Sequence, residues 1–189
     1  MRRTVTLAMV LAALGLAAAA DEPMTVSPHR VIDVVTSDWN GDGDFDRAVL
    51  IEGDEDADLR IYLSSGGEEG MALAVARPDF VWRGAMWGTL PSLTLNAAGS
   101  LQVISGNQSI GRNRWQETIT IVWRGSRFLV AGFTFDSHDT LDPGLTKRCD
   151  VNYLSGQGLL DERPFEIDVG VASLSEWGPE MVPPECAAG

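Results

Sequence analysis

Basic charge, histidine, cysteine and helical periodicity are all scarce in this chain. Only 14 Lys and Arg stand against 27 Asp and Glu, a formal charge of −13. An acidic surface of that kind repels nucleic acid phosphates and anionic lipid headgroups. No basic run interleaved with aromatics offsets it, so no nucleic-acid partner is expected. The two cysteines, Cys149 and Cys186, have no histidine near them in sequence, which argues against a catalytic thiol. "GNQSIG" has the wrong spacing for a nucleophile elbow, and Ser109 reads as a turn serine. No glycine-rich phosphate loop occurs.

The one long apolar run lies at the start, "MRRTVTLAMVLAALGLAAAADEP". Arg2 and Arg3 precede an apolar stretch from Thr4 to Leu16, and Ala18 to Ala20 supply the small residues of a cleavage site. The run meets an acidic segment and falls short of the roughly 20 residues that span a bilayer. Residues 1–20 are therefore expected to be a signal peptide, removed before Asp21. No cysteine follows for a lipid anchor. The remainder, 21–189, carries 12 basic and 27 acidic residues, a formal charge of −15. Its 169 residues suit one domain, without a membrane span. The expected location is the periplasm or the exterior, where an even pair of cysteines forms a disulfide. Pairing Cys149 with Cys186 would tie the Pro-rich tail "WGPEMVPPEC" to the body.

Short stretches rich in Val, Ile, Thr and aromatics alternate with clusters of Gly, Asp, Asn and Ser. That pattern predicts an all-β domain of about eight to ten short antiparallel strands. "RVIDVVTS", "RAVLIE" and "LRIYLSS" read as the first strands, then "MALAVA" and "DFVWRG". "SLTLN" and "SLQVISG" flank a tight turn at "AAG". The clearest hairpin is "RWQETITIVWRGSRFLVAGFTFD". Trp115, Glu117, Ile119, Ile121 and Trp123 fall on one face, and Gly-Ser at the centre of "RGSR" suits a two-residue turn. "DSHDTLDPGLTKR" reads as a loop, followed by a last hairpin around "CDVNYLSGQGLLDE".

The stretch "DWNGDGDFD", 38–46, packs four aspartates and an asparagine into nine positions. Oxygen ligands at alternating positions wrap a hard cation, and a glycine at the sixth permits the sharp turn. Without a cation the carboxylates repel one another at close range. The plain alternative is a solvated acidic turn. Val49 stands where an EF-hand needs a bidentate Glu, so the loop departs from that motif. Residues 34–52, "VVTSDWNGDGDFDRAVLIE", instead resemble the calcium loops of the FG-GAP and VCBS repeat families, found in integrin-type β-propellers and in many secreted bacterial proteins. The resemblance implies bound Ca²⁺, with Asp38, Asn40, Asp42 and Asp46 as side-chain ligands. It also implies the backbone carbonyl of Asp44, with that residue's carboxylate turned to solvent. A propeller needs several such blades, and one loop implies no full propeller.

A second cluster, "GDEDAD" at 53–58, lacks the glycine and lies one strand away, about 20 Å for six residues. It reads as a charged hairpin tip. Trp82 and Trp87, set among glycines in "FVWRGAMWGTLP", could form a stacking platform for sugar. The alternative is that both are core or lid residues. His138 reads as part of a polar surface loop. The expectation is an exported calcium-binding β domain, not an enzyme, that meets an unknown protein or glycan ligand. A carbohydrate-binding module built on Trp82 and Trp87 is one alternative. A small hydrolase using Asp136, Asp139 or Glu117 is another.

Overall fold

Two antiparallel meanders follow one another along the chain and share a single core. The computed structural model describes residues 26–66, 70–86 and 88–187. The expected signal peptide and Trp87 lie outside the described residues. The first sheet runs in sequence order through β1 (Val31–Ser37), β2 (Asp46–Glu52), β3 (Ala57–Ser64) and β4 (Met71–Val81). The second holds β5 (Ser92–Leu95), β6 (Leu101–Asn107), β7 (Asn113–Trp123), β8 (Phe128–Asp139), β9 (Thr146–Asn152), β10 (Gln157–Leu160) and β11 (Arg163–Glu166). A short β12 (Ala172–Ser173) pairs with the start of β8. Neither sheet closes into a barrel or a propeller blade array.

The alternation of apolar and polar residues puts one face of each sheet inward. Ala48, Leu50, Leu59 and Ile61 from the first sheet meet Leu101, Val103, Ile119, Ile121, Val130 and Phe133 from the second, all buried. The β7 face read from the sequence is the inner one. Trp115 and Trp123 are half-buried and pack against this core from its two ends. Gly125 and Ser126 take φ of 61° and 59°, and Arg124 N–H donates to the Arg127 carbonyl at 2.9 Å. Both central residues being left-handed, this is the mirror-image turn that matches strand twist.

Differences from the sequence reading have local causes. "MALAVA" and "DFVWRG" contribute to one strand, β4, because the register shift between Ala57 and Leu59 of β3 absorbs Pro78 and the left-handed Asp79 (φ 43°), and a second, between Ile61 and Tyr62, falls at Ala74. β8 runs on through Asp139, so His138 is an exposed strand residue rather than a loop residue. β11 has no clear strand pattern in the sequence; Asp161 and Glu162, with φ of 47° and 70°, turn the chain into it.

The Cys149–Cys186 disulfide is present, with both residues buried. Three side chains also hold the tail. Arg77 donates to the carbonyls of Leu174 and Trp177, the latter at 2.6 Å. Tyr153 Oη donates to the Met181 carbonyl at 3.1 Å, and Lys147 Nζ to that of Ala187 at 2.6 Å. Asp33 joins the sheets themselves, its Oδ2 accepting the Leu93 N–H of β5 at 2.7 Å.

Candidate functional site

The loop between β1 and β2 is folded by its own side chains. Asp38 Oδ1 accepts the N–H groups of Gly41 (2.7 Å) and Asp42 (3.2 Å), and its Oδ2 accepts that of Gly43 (3.0 Å). Asn40 Oδ1 accepts the same Asp42 N–H at 3.0 Å. Oxygens from Asp38 and Asn40 thus converge on one amide. Asp42 Oδ1 accepts the Asp44 N–H at 2.9 Å, and Asn40 Nδ2 donates to Asp42 Oδ2 at 2.7 Å. Gly41 and Gly43, at φ of 77° and 94°, take the left-handed conformations that let the chain wind this tightly.

Asp46 closes the loop and is 0% exposed. Its Oδ2 accepts the Trp39 N–H at 2.9 Å and its Oδ1 the Ser64 N–H at 3.0 Å. One carboxylate therefore pins the loop to the far end of β3. The Asp44 side chain is half-buried rather than fully solvated. It leans over Gly66, where an added Cβ would come 2.5 Å from Asp44 Oδ2.

No cationic side chain among the described residues forms an ion pair with Asp38, Asp42, Asp44 or Asp46. The neighbouring Arg47 donates instead to the Phe45 carbonyl at 3.1 Å. Among the described residues, no three His, Cys, Asp or Glu side chains are gathered so as to hold a metal ion. The oxygens brought together in the loop belong to Asp38, Asn40 and Asp42, one of them an amide, while Asp46 is committed to two backbone donors. Asp38 Oδ1 uses both of its lone pairs on the Gly41 and Asp42 N–H groups, whereas Asp38 Oδ2, Asn40 Oδ1 and the two Asp42 oxygens each accept one hydrogen bond and retain a second lone pair. The donor set is all oxygen, as a hard cation requires. The loop fits such an ion in backbone turn and chemistry, with Asp42 now held by Asn40.

The second acidic cluster is not a free tip. Asp56 Oδ1 accepts the Arg83 N–H at 3.2 Å, and Asp56 N–H donates to Asp79 Oδ1 at 3.2 Å. Asp58 Oδ1 accepts the Asp79 N–H at 3.0 Å. Glu52 pairs with Arg83 at 2.6 Å. These carboxylates serve the irregular end of β4, where the register shifts leave N–H groups without ladder partners. Only Asp54 and Glu55 are exposed in the manner read from the sequence.

Trp82 is half-buried, its ring centroid 5.3 Å from that of Trp115 at an interplanar angle of 53°. Trp115 in turn stacks on Phe135 at 6.4 Å and 21°. Trp82 thus belongs to an aromatic row leading into the core. The hydrolase carboxylates are dispersed. Asp136 pairs with Arg148 at 3.4 Å, and Asp139 with Arg112. The Arg112 hydrogen bond is the main reason that the Asp139 pKa is lowered. Glu117 lies opposite Phe135 in register, four residues from Asp139, or about 13 Å along the strand.

Glu117 is nevertheless unusual. It sits on the inner, apolar face, and its only side-chain hydrogen bond among the described residues is a long one from Ser105 Oγ, 3.4 Å. Burial pushes its pKa up, the Ser105 bond opposes that, and the charge of Asp56 adds to it. The folded state therefore binds the Glu117 proton more tightly than the unfolded chain does. Its stability contribution is full below the unfolded pKa and declines as pH rises through the folded one. Glu117→Gln should stabilise the fold at pH 7 by about 1 kcal/mol of relieved desolvation, seen as a higher melting temperature, and should make little difference near pH 4. Melting curves at the two pH values check this; a variant destabilised at both would contradict it.

Comparison of the chain with models of protein families, with curated proteins and with solved structures finds no match.

Proposed function

We propose that this chain is an exported, non-enzymatic binding domain in which one Ca²⁺ braces the β1–β2 loop. Asp38, Asn40, Asp42, Asp46 and the Asp44 carbonyl would hold the ion. The observation that carries the reading is the charge imbalance in the loop. Four carboxylates, one fully buried, share nine residues and form no ion pair with a basic side chain among the described residues. Buried and crowded charge is retained where an opposite charge meets it. A divalent cation would supply that charge and would lock the turn from which β2 enters the core. The disulfide supports an oxidising compartment. The dispersal of Asp136, Asp139 and Glu117, the first two paired with arginines, favours binding over hydrolysis. The partner class stays as read from the sequence, a protein or a glycan.

A ligand bound only by the native state raises stability by RT ln(1 + [L]/Kd). Extracellular calcium modules bind at about 10⁻⁴ to 10⁻³ M. At about 1 mM Ca²⁺ the gain is roughly 0.4 to 1.4 kcal/mol. Melting in EGTA and in calcium should show that gain for the natural chain and none for Asp42→Ala. Asp56→Ala should lower stability in both solutions, because Arg83 N–H loses its acceptor, yet keep the calcium response. Equal loss of response in both variants would place the ion elsewhere.

A further inference from the structure

The inner face of the second sheet is not fully covered by the first. Beyond the shared core, the tail crosses it in two short 3₁₀ turns, Pro179–Met181 and Pro184–Cys186. Between tail and sheet lies a cavity of about 230 Å³. Phe133, Phe135, Pro179, Val182 and the disulfide's Cys186 form most of its lining. Among the described residues on its wall, the one ionisable side chain is Glu117.

We infer that this cavity is a binding site for a small organic amine, with apolar walls for its body and the Glu117 carboxylate for its ammonium group. Three observations converge. An apolar cavity of about 150 Å³ is already large enough to take benzene, so the volume suits a ring bearing one short substituent. The carboxylate has no basic partner among the described residues. The charged group acting on it is another acid, Asp56. Lys147, the ammonium nearest this region, is engaged by the Ala187 carbonyl and lies 5.9 Å from the Phe135 ring centroid. The chain as a whole carries a formal charge of −13, which concentrates cations near its surface. An ammonium ion would give Glu117 the charge-assisted hydrogen bond that the fold withholds.

Calorimetry with benzylamine and with benzyl alcohol, nearly equal in size and different in charge, tests the site. Benzylamine should bind the natural chain about tenfold or more tighter than benzyl alcohol, as expected for a charge-assisted contact. Glu117→Gln should bring the two affinities close together while leaving benzyl alcohol unchanged. Val182→Trp, which fills the cavity from the tail side, should abolish both. Absence of benzylamine binding at millimolar concentration would overturn the assignment. So would equal benzylamine affinity in Glu117→Gln, or retained binding in Val182→Trp.

Discussion

Replacing Cys149 and Cys186 together with alanine should lower the free energy of unfolding by about 4 kcal/mol. The bond closes a loop with a sequence separation of 37, and loop-closure entropy in the unfolded chain gives that magnitude. A native domain holds only about 5–15 kcal/mol in all, so the loss is a large fraction of the total. The native structure should survive in mild conditions, because Arg77, Tyr153 and Lys147 bind tail carbonyls independently of the bond. Urea denaturation of the variant and of the oxidised chain measures the difference. A midpoint shift worth less than about 1 kcal/mol would mean that the unfolded chain is constrained by something other than the bond.

The second large effect belongs to Asp46. Asp46→Ala leaves the Trp39 and Ser64 N–H groups without their acceptor in a part of the loop closed to water. A buried donor left unpaired costs about 1–3 kcal/mol, so the change should destabilise by roughly 3 kcal/mol with calcium absent. Asp46→Asn keeps one carbonyl oxygen and turns an amide donor toward the other N–H, and should cost about half as much. The ordering separates Asp46 from Asp42. Asp42→Ala in EGTA should be close to neutral, since relief of like-charge crowding offsets the two exposed hydrogen bonds that are lost, from the Asp44 N–H and Asn40 Nδ2. Chemical denaturation of the three variants in EGTA gives the ranking. An Asp46→Ala variant as stable as the natural chain would show that the carboxylate does not hold the loop.

The strands, the Gly-Ser turn and the disulfide were legible because each leaves a local mark in the sequence. Alternation places Ile119 and Ile121 inward, Gly125 and Ser126 tolerate positive φ, and the chain's two cysteines have only each other to pair with. The roles of Asp33, Arg77 and Asp56 were not legible. Each meets a partner distant in the chain: Leu93 for Asp33, Leu174 and Trp177 for Arg77, Arg83 for Asp56. Composition marks these residues as polar and says nothing of an unpaired backbone group across the fold. Asp56 and Asp58 looked like a solvated tip because a run of acids usually is one. The register shifts in β4 created donors for them to satisfy. Glu117 shared a face with Ile119 and Ile121, and that pattern already placed a carboxyl toward the core. What the pattern lacked was the tail, brought over that face by the disulfide.

Calorimetric titration of the chain from Asp21 onward with Ca²⁺ tests the central claim most directly. The account predicts a single site with a dissociation constant of about 10⁻⁴ to 10⁻³ M, present in Asp56→Ala and absent in Asp42→Ala. No heat of binding in the natural chain, with identical melting in EGTA and in millimolar calcium, would contradict it.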